Sequence, residues 1–165
     1  MTRVVVCDTG PLIHLSEAGA IHLLSTVGDI IIPPLVADEY KANSQGWKPP
    51  QWVKIVTLES KSIQQANNWI QSNQIDAGEA QAISLAMQIE AHWLLTDDAR
   101  ARQFAESLGV EVHGSIGVLL WNAATGNIDD ASLTLKYLDD LSNSTLWISD
   151  RVLEQARNTI MGLFQ

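Results

Sequence analysis

The sequence RVVVCD at residues 3–8 has the pattern of a strand that is buried on both faces and ends at an acidic residue. Three consecutive valines leave no polar position along the strand, which is typical of the interior of a parallel sheet. Ligands of open parallel sheets bind outside the carboxyl ends of the strands. Asp8, directly after this strand, is therefore the first candidate for a functional side chain.

Strand and helix patterns alternate from this strand to about residue 124. Further strands are predicted at 30–32, 53–57, 93–96 and 110–112, with helices between them, and the strand at 53–57 is expected at an edge of the sheet. Residues 43–51, with Gly46, Pro49 and Pro50, are expected to form a loop. The alternation predicts an α/β fold in which helices cover both faces of a central, mainly parallel sheet.

The C-terminal part of the chain departs from this alternation. Amphipathic patterns at 130–141 and 149–163 predict two helices without an intervening strand. We expect a single domain over residues 1–165, made of a core at about 3–124 and a C-terminal helical hairpin at about 125–165. The hairpin could be a lid, a dimer surface or a partner-docking surface, and the sequence does not choose among them.

Composition restricts the class of protein and its partners. The net charge of −9 argues against a general basic surface for nucleic acid, but it is compatible with a nuclease whose acids hold metal cations and with a basic protein partner. No apolar stretch approaches the ~20 residues that a membrane-spanning helix needs, so no membrane association is expected. The single cysteine, Cys7, cannot form an internal disulfide, which fits a cytoplasmic protein.

Carboxylates recur where strands are predicted to end or helices to begin. They are Asp8, Glu39, Asp76, Glu79, Asp97 and Asp98. Converging acids without a compensating lysine favour a bound cation, and oxygen ligands favour Mg²⁺ or Mn²⁺ over zinc. Two such ions about 4 Å apart can activate water and stabilise the leaving oxygen of a phosphodiester.

The first four of these carboxylates also have structural explanations. Asp8 could cap the helix that follows it, and Glu39 could be an exposed helical acid. Asp76 and Glu79 have the spacing of a capping box, although the small neighbour Gly78 leaves room for an ion or a phosphate oxygen beside Glu79. Taken singly, each position is open to either explanation.

The pair Asp97 and Asp98 is harder to explain by capping alone. Two adjacent acids after a buried strand repel each other unless a cation is present or one of them is protonated. We expect one of them to cap the next helix, which leaves the other free for a ligand.

Neighbouring polar residues are candidates for supporting roles. Thr9 and Thr96 each adjoin a candidate ligand and could orient a carboxylate, touch phosphate or merely cap a helix. Arg100 and Arg102 could grip a scissile phosphate or lie on a solvated helix face. The four histidines show no nucleophile or metal spacing, and core, helix-end or surface roles are expected for them.

The six tryptophans could stack on bases. Trp69, Trp93, Trp121 and Trp147 lie in apolar contexts and are expected to pack in the interior. Trp47 and Trp52, in or beside the 43–51 loop, are the better candidates for exposed contacts.

Four segments in this order and spacing resemble the PIN-domain family: VVVCDTGPLIHLSEAG, IIIPPLVADEY, DAGEAQAISLA and WLLTDDARAR. The resemblance covers about residues 3–120, and the most similar branch is the group of VapC-like toxin components and their relatives. It implies a three-layer α/β/α sandwich and RNA cleavage that depends on Mg²⁺ or Mn²⁺.

The resemblance also implies roles for individual acids. Asp8 matches the acid after the first strand, and Glu39 matches the glutamate on the helix after the second. Glu79 holds a position where the family usually has an aspartate. The fourth acid falls at Asp97 or Asp98, and we take Asp97 as the metal ligand and Asp98 as its support, while Asp76 is an extra acid facing the cleft.

The sequence therefore predicts an endoribonuclease that acts on RNA through metal-activated water, with Asp8, Glu39, Glu79 and Asp97 as metal-binding and catalytic residues. It could be the toxin of a toxin–antitoxin pair with a basic antitoxin as partner, and it could form a homodimer. The alternative is a non-catalytic PIN-like module that binds nucleic acid or protein. A phosphatase that forms an aspartyl phosphate is less compatible, because Gly10 stands where its second acid is needed.

Overall fold

A computed structural model describes residues 2–43 and 48–165 of the chain. Trp47 and the middle of the predicted 43–51 loop lie outside the described residues. The strands are β1 (Val4–Cys7), β2 (Asp29–Ile32), β3 (Val53–Ile55), β4 (Trp93–Leu95) and β5 (Val112–His113). The helices are α1 (Thr9–Glu17), α2 (Pro34–Asn43), α3 (Ser60–Gln71), α4 (Ala77–Gln88), α5 (Ala99–Ser107), α6 (Ser115–Ala124), α7 (Ala131–Ser142) and α8 (Asp150–Leu163), with a 3₁₀ turn at Ile21–Thr26 after α1.

The sheet is parallel throughout and has the order β3-β2-β1-β4-β5. β3 is at an edge, as predicted. The chain moves from β1 outward to β3 on one side and then crosses over to build β4 and β5 on the other. The order therefore reverses between β1 and β4, where Cys7 pairs with Leu95 and where ligands of open α/β sheets bind.

Helices cover both faces of the sheet. Alternate side chains of a strand point to opposite faces, so the apolar strands need a covering layer on each side. Val5 and Cys7 of β1 belong to a core shared with α1, α2 and α6, whereas Val6 belongs to a second core shared with α3, α4 and α5. The predicted three-layer α/β/α sandwich is confirmed. Val5 and Val6 of β1 are fully buried on opposite faces, as a central strand requires, and Val4 at the start of the strand is partly buried.

The last two helices, α7 and α8, pack into the first of these cores. Leu138 and Leu141 of α7 and Ala156 and Ile160 of α8 are buried in the same cluster as Val5. Within the described residues, no helix is long and apolar enough to cross a membrane.

Candidate metal centre

Six carboxylates line one cavity of about 470 Å³ at the carboxyl edge of the sheet, beside the reversal between β1 and β4. We call it the acid cavity. Its carboxylates are Asp8, Glu39, Asp76, Glu79, Asp97 and Asp98. No lysine or arginine contributes to its wall among the described residues. All the acids that the sequence singles out are thus brought together, although they come from different elements of the fold.

Asp8 is the most buried of these acids, with 6% of its surface exposed. Its Oδ1 accepts a hydrogen bond from the backbone N–H of Thr9 (2.8 Å), so it caps α1, and its Oδ2 accepts one from the hydroxyl of Thr96 (3.1 Å). Burial raises the pKa of Asp8 to about 6, and the charges of Glu39 and Asp97 add to this rise. Capping and membership of the acid cavity are therefore compatible in one side chain.

Glu39 reaches the acid cavity from the second turn of α2. Its Oε2 accepts a hydrogen bond from the Thr9 hydroxyl at 2.6 Å. The backbone of Gly78 faces the same carboxylate so closely that a Cβ there would lie 2.5 Å from Oε2. The small residue expected to leave space beside Glu79 thus makes space for Glu39. Thr9 lies in the wall of the cavity and orients this carboxylate.

Glu79 and Asp76 form a capping box at the start of α4, in which Glu79 Oε2 accepts from the backbone N–H of Asp76 at 3.4 Å. That bond is long, so it holds the carboxylate weakly. The pKa of Glu79 is raised to about 7, mainly by partial burial and then by the charges of Asp98 and Asp8. An acid under this repulsion is suited to receive a cation.

Asp97 is held by three donors. Its Oδ1 accepts from the backbone N–H of Ser115 (2.7 Å), and its Oδ2 accepts from the Ser115 hydroxyl (2.5 Å) and lies 2.7 Å from Nδ1 of His14. Gly114 permits this approach, since a Cβ there would lie 2.8 Å from Oδ1. The carboxylate is fixed in place, and each oxygen keeps lone-pair capacity for at most a few further contacts.

Asp98 is the acid that caps the following helix, as predicted for one member of the pair. Its Oδ1 accepts from the backbone N–H of Ala101 at 2.8 Å, at the start of α5. The charge of Asp98 nevertheless raises the pKa of Glu79 more than the charge of Asp8 does. The assignment of Asp97 as ligand and Asp98 as support stays a prediction, and both side chains are present at the cavity.

The remaining supporting residues lie in different places. Thr96 is buried beneath the cavity, where its hydroxyl donates to Asp8. Arg100 is outside the wall of the acid cavity, and its guanidinium donates to the backbone carbonyl of Asn73 at 2.5 Å. Arg100 therefore ties α5 to the turn before α4, and its predicted contact with phosphate is untested.

Sequence reasoning missed several residues that line the acid cavity or hold its acids. His14 lies on α1 in contact with Asp97, although no histidine spacing indicates it. Ser115 holds Asp97 from the start of α6. Residues 145–147, between α7 and α8, form one side of the cavity. Only tertiary packing brings these segments to the sheet edge, so local patterns could not reveal them.

Two predictions about tryptophans were wrong. Trp147 does not pack in the interior, because 84% of its surface is exposed at the mouth of the acid cavity. Trp52, expected as an exposed contact, is partly buried against the first core. The apolar residues around Trp147 in the sequence, Leu146 and Ile148, take the packing positions and turn the indole outward.

The donor set fits a hard divalent cation better than any other cofactor. The cavity offers carboxylate oxygens without cysteine ligands. Burial, and to a smaller extent the charges of neighbouring acids, raise the pKa values of Asp8 and Glu79, and a cation would favour the ionised form of both. Within residues 2–43 and 48–165, however, no three His, Cys, Asp or Glu side chains are arranged closely enough to hold an ion as they stand. An ion bound here would need the side chains to rotate inward, and the long hydrogen bond of Glu79 would allow that rotation.

The fold and the acid cavity together define a three-layer α/β/α protein of the PIN type. The PIN-domain family profile matches residues 4–161, which is most of the chain. The chain belongs to the PIN-domain family, as the resemblance implied. PIN domains are a nuclease-type family that typically uses divalent metals. A comparison with curated proteins finds no match.

Proposed function

We propose that this protein is an endoribonuclease that depends on Mg²⁺ or Mn²⁺. The observation that supports the proposal is the acid cavity itself, in which six carboxylates converge without a lysine or arginine among the described lining residues. Such a site repels a phosphodiester unless cations lie between the acids and the phosphate. Membership of a nuclease-type family favours the same conclusion.

Each acid has a defined task in this proposal. Asp8, at the centre of the carboxyl edge, and Glu79, at the start of α4, would hold the ions together with Asp97. Glu39 would complete the site directly or through water, oriented by Thr9. Bound Mg²⁺ or Mn²⁺ would supply Lewis-acid activation of the attacking water and neutralise charge at the scissile phosphate.

The residues around the acids would keep the site organised. Thr96 holds one oxygen of Asp8 from below, so the carboxylate presents its remaining lone pairs to the cavity. His14 and Ser115 fix Asp97 in the same way. Such contacts orient ligands and tune their basicity.

Cleavage of single-stranded RNA with added Mn²⁺ tests the proposal. We expect the wild-type protein to release fragments with 5′-phosphate and 3′-hydroxyl ends, and Asp8→Asn to lose the activity while its circular dichroism spectrum is retained. Asparagine can still cap α1, so the fold is preserved. Equal cleavage by both proteins would reject the assignment.

A second candidate is a non-catalytic module that binds nucleic acid or protein. Two observations favour it: no preformed three-ligand group exists among the described residues, and Asp97 already has three protein donors. This candidate predicts RNA or partner binding without Mn²⁺-dependent cleavage.

The biological setting is also a proposal. A toxin role in the cytoplasm, with a small basic antitoxin as partner, would match the net charge of −9. A short basic reading frame beside this one, whose product suppresses RNA cleavage, would support that role. Homodimer formation is a separate expectation that sedimentation would test.

A further inference from the structure

A second cavity adjoins the acid cavity. It has a volume of about 390 Å³ and shares Asp97, Ala99, Leu146 and Trp147 with the acid cavity. We call it the side cavity. Its volume lies in the range of sites for small ligands. The two cavities thus form one continuous depression with Asp97 and Trp147 at the boundary.

Trp147 lies at this boundary, and contacts of its neighbours fix the backbone there. The chain is held on both sides of Trp147. Before it, Thr145 donates to Glu17 of α1 through its backbone N–H (3.2 Å) and its hydroxyl (2.5 Å), and on either side of it Leu146 and Ile148 pack against the first core. The indole itself is 84% exposed. An exposed aromatic ring on an anchored backbone is suited to stack on a flat partner.

The rest of the side cavity supplies one positive charge and an apolar floor. Arg102 lines it, and its contact with Glu106 is a long one (3.8 Å, Nε to Oε1) that leaves donors of the guanidinium available. Ile116, Ile148 and Val152 provide apolar surface. Among the described residues that line the two cavities, Arg102 is the only lysine or arginine.

We propose that the side cavity is a subsite for one unpaired nucleotide of the RNA strand, whose base stacks on Trp147 and whose phosphate pairs with Arg102. The inference rests on the proposed function, because it places the neighbouring phosphate in the acid cavity. A base within an A-form duplex is stacked on both faces and cannot reach the indole, so the subsite selects single-stranded RNA.

The test compares two probes that carry the same backbone charge. One is a fluorescein-labelled twelve-nucleotide oligouridine, and the other is the same chain made of abasic ribose phosphates. Their affinities are measured by fluorescence anisotropy with Ca²⁺, an oxygen-liganded cation, for wild type, Trp147→Ala, Trp147→Phe and Arg102→Gln. Met161→Ala is the matched control, since Met161 is an exposed apolar residue outside both cavities.

We expect Trp147→Ala to weaken binding of oligouridine about tenfold and to leave the abasic probe unchanged, because only the former loses a stacked base. Trp147→Phe should recover most of the affinity, Met161→Ala should match wild type, and Arg102→Gln should weaken both probes. Equal losses on both probes, no loss on either, or no binding of oligouridine by the wild type would overturn the subsite. So would loss of a dimer on sedimentation of Trp147→Ala without any change in affinity for RNA.

This experiment separates the subsite from the proposed activity. Base-dependent binding through Trp147 in a protein that never cleaves RNA would retain the subsite and reject the nuclease. Cleavage by the wild type with no effect of Trp147→Ala on affinity for either probe would retain the nuclease and reject the subsite.

Discussion

Gly78 makes room for the carboxylate of Glu39. A Cβ on Gly78 would lie 2.5 Å from Glu39 Oε2 and 2.6 Å from Oε1, closer than side-chain carbons approach oxygen in folded proteins. The contact joins the start of α4 to α2 across the acid cavity. Because the atoms involved are at the end of a flexible side chain, a methyl group at residue 78 would displace Glu39 rather than unfold the helix.

We predict that Gly78→Ala lowers Mn²⁺-dependent RNA cleavage at least tenfold without lowering the melting temperature. Alanine favours the helix by up to about 1 kcal/mol relative to glycine, whereas displacement of Glu39 breaks its hydrogen bond with Thr9. Cleavage rates and thermal unfolding are measured on the same preparation.

Gly162→Ala in α8 is the control for this substitution, since no atom lies within 4 Å of a Cβ placed there. It should retain full activity. Full activity of Gly78→Ala would show that the position of Glu39 does not matter.

We predict that Asp8→Asn stabilises the metal-free protein at neutral pH. The pKa of Asp8 is raised to about 6 from an ordinary 3.8, so the folded state binds a proton that the unfolded chain has lost. The wild type therefore loses stability as pH rises from about 4 through 6. The difference at pH 7.5 should be on the order of 2 kcal/mol, given 1.36 kcal/mol for each unit of pKa and some relaxation around the charge.

Urea unfolding in EDTA at pH 4 to 8 measures this difference. The free energy of unfolding of Asp8→Asn should increase relative to that of the wild type between about pH 4 and 6. The difference should then remain constant up to about pH 8. Parallel stability curves for the two proteins would mean that Asp8 is not strained by burial.

Asp97 and Asp98 should respond differently to the same conservative change. Asp97→Asn is expected to lower cleavage more than about 100-fold, because it removes a ligand charge. Asp98→Asn is expected to lower cleavage about tenfold, because asparagine preserves the cap of α5 and only the support of the site is lost. Single-turnover rates with Mn²⁺ distinguish the two, and the reverse order would exchange their roles.

His14 should act as a positioning residue for Asp97. His14→Ala removes the contact at 2.7 Å and leaves Asp97 held by Ser115 alone. We expect affinity for Mn²⁺ to fall about tenfold, as is usual when a residue that orients a ligand is lost. His22→Ala is the control, since His22 is not part of the acid cavity. Unchanged affinity in His14→Ala would show that Ser115 positions Asp97 by itself.

Much of the fold follows from local patterns. The valines of β1 predict a strand buried on both faces, and the short strand β3 is correctly expected at an edge. Alternation of strands and helices then leaves a parallel sheet as the simplest arrangement. Asp8, Asp97 and Asp98 follow strands and were found because the carboxyl ends of parallel strands share one edge. Glu39 and Glu79 lie on helices, and the resemblance to the PIN-domain family was needed to assign them to the site.

The rest of the site depends on contacts between distant parts of the chain. Trp147 follows Leu146 in a sequence that suggests packing, yet the packing of Leu146 is what leaves the indole exposed. His14 and Ser115 approach Asp97 from two other elements, across 83 and 18 residues of sequence. No periodicity encodes such a meeting, so these residues are visible only once the helices are in place.

Titration of Mn²⁺ into the metal-free protein by calorimetry tests most directly whether the acid cavity holds divalent ions. We predict saturable binding of one or two ions by the wild type at pH 7.5, and at least tenfold weaker binding by both Asp8→Asn and Glu79→Gln. The absence of binding by the wild type, or equal binding by all three proteins, would contradict the account.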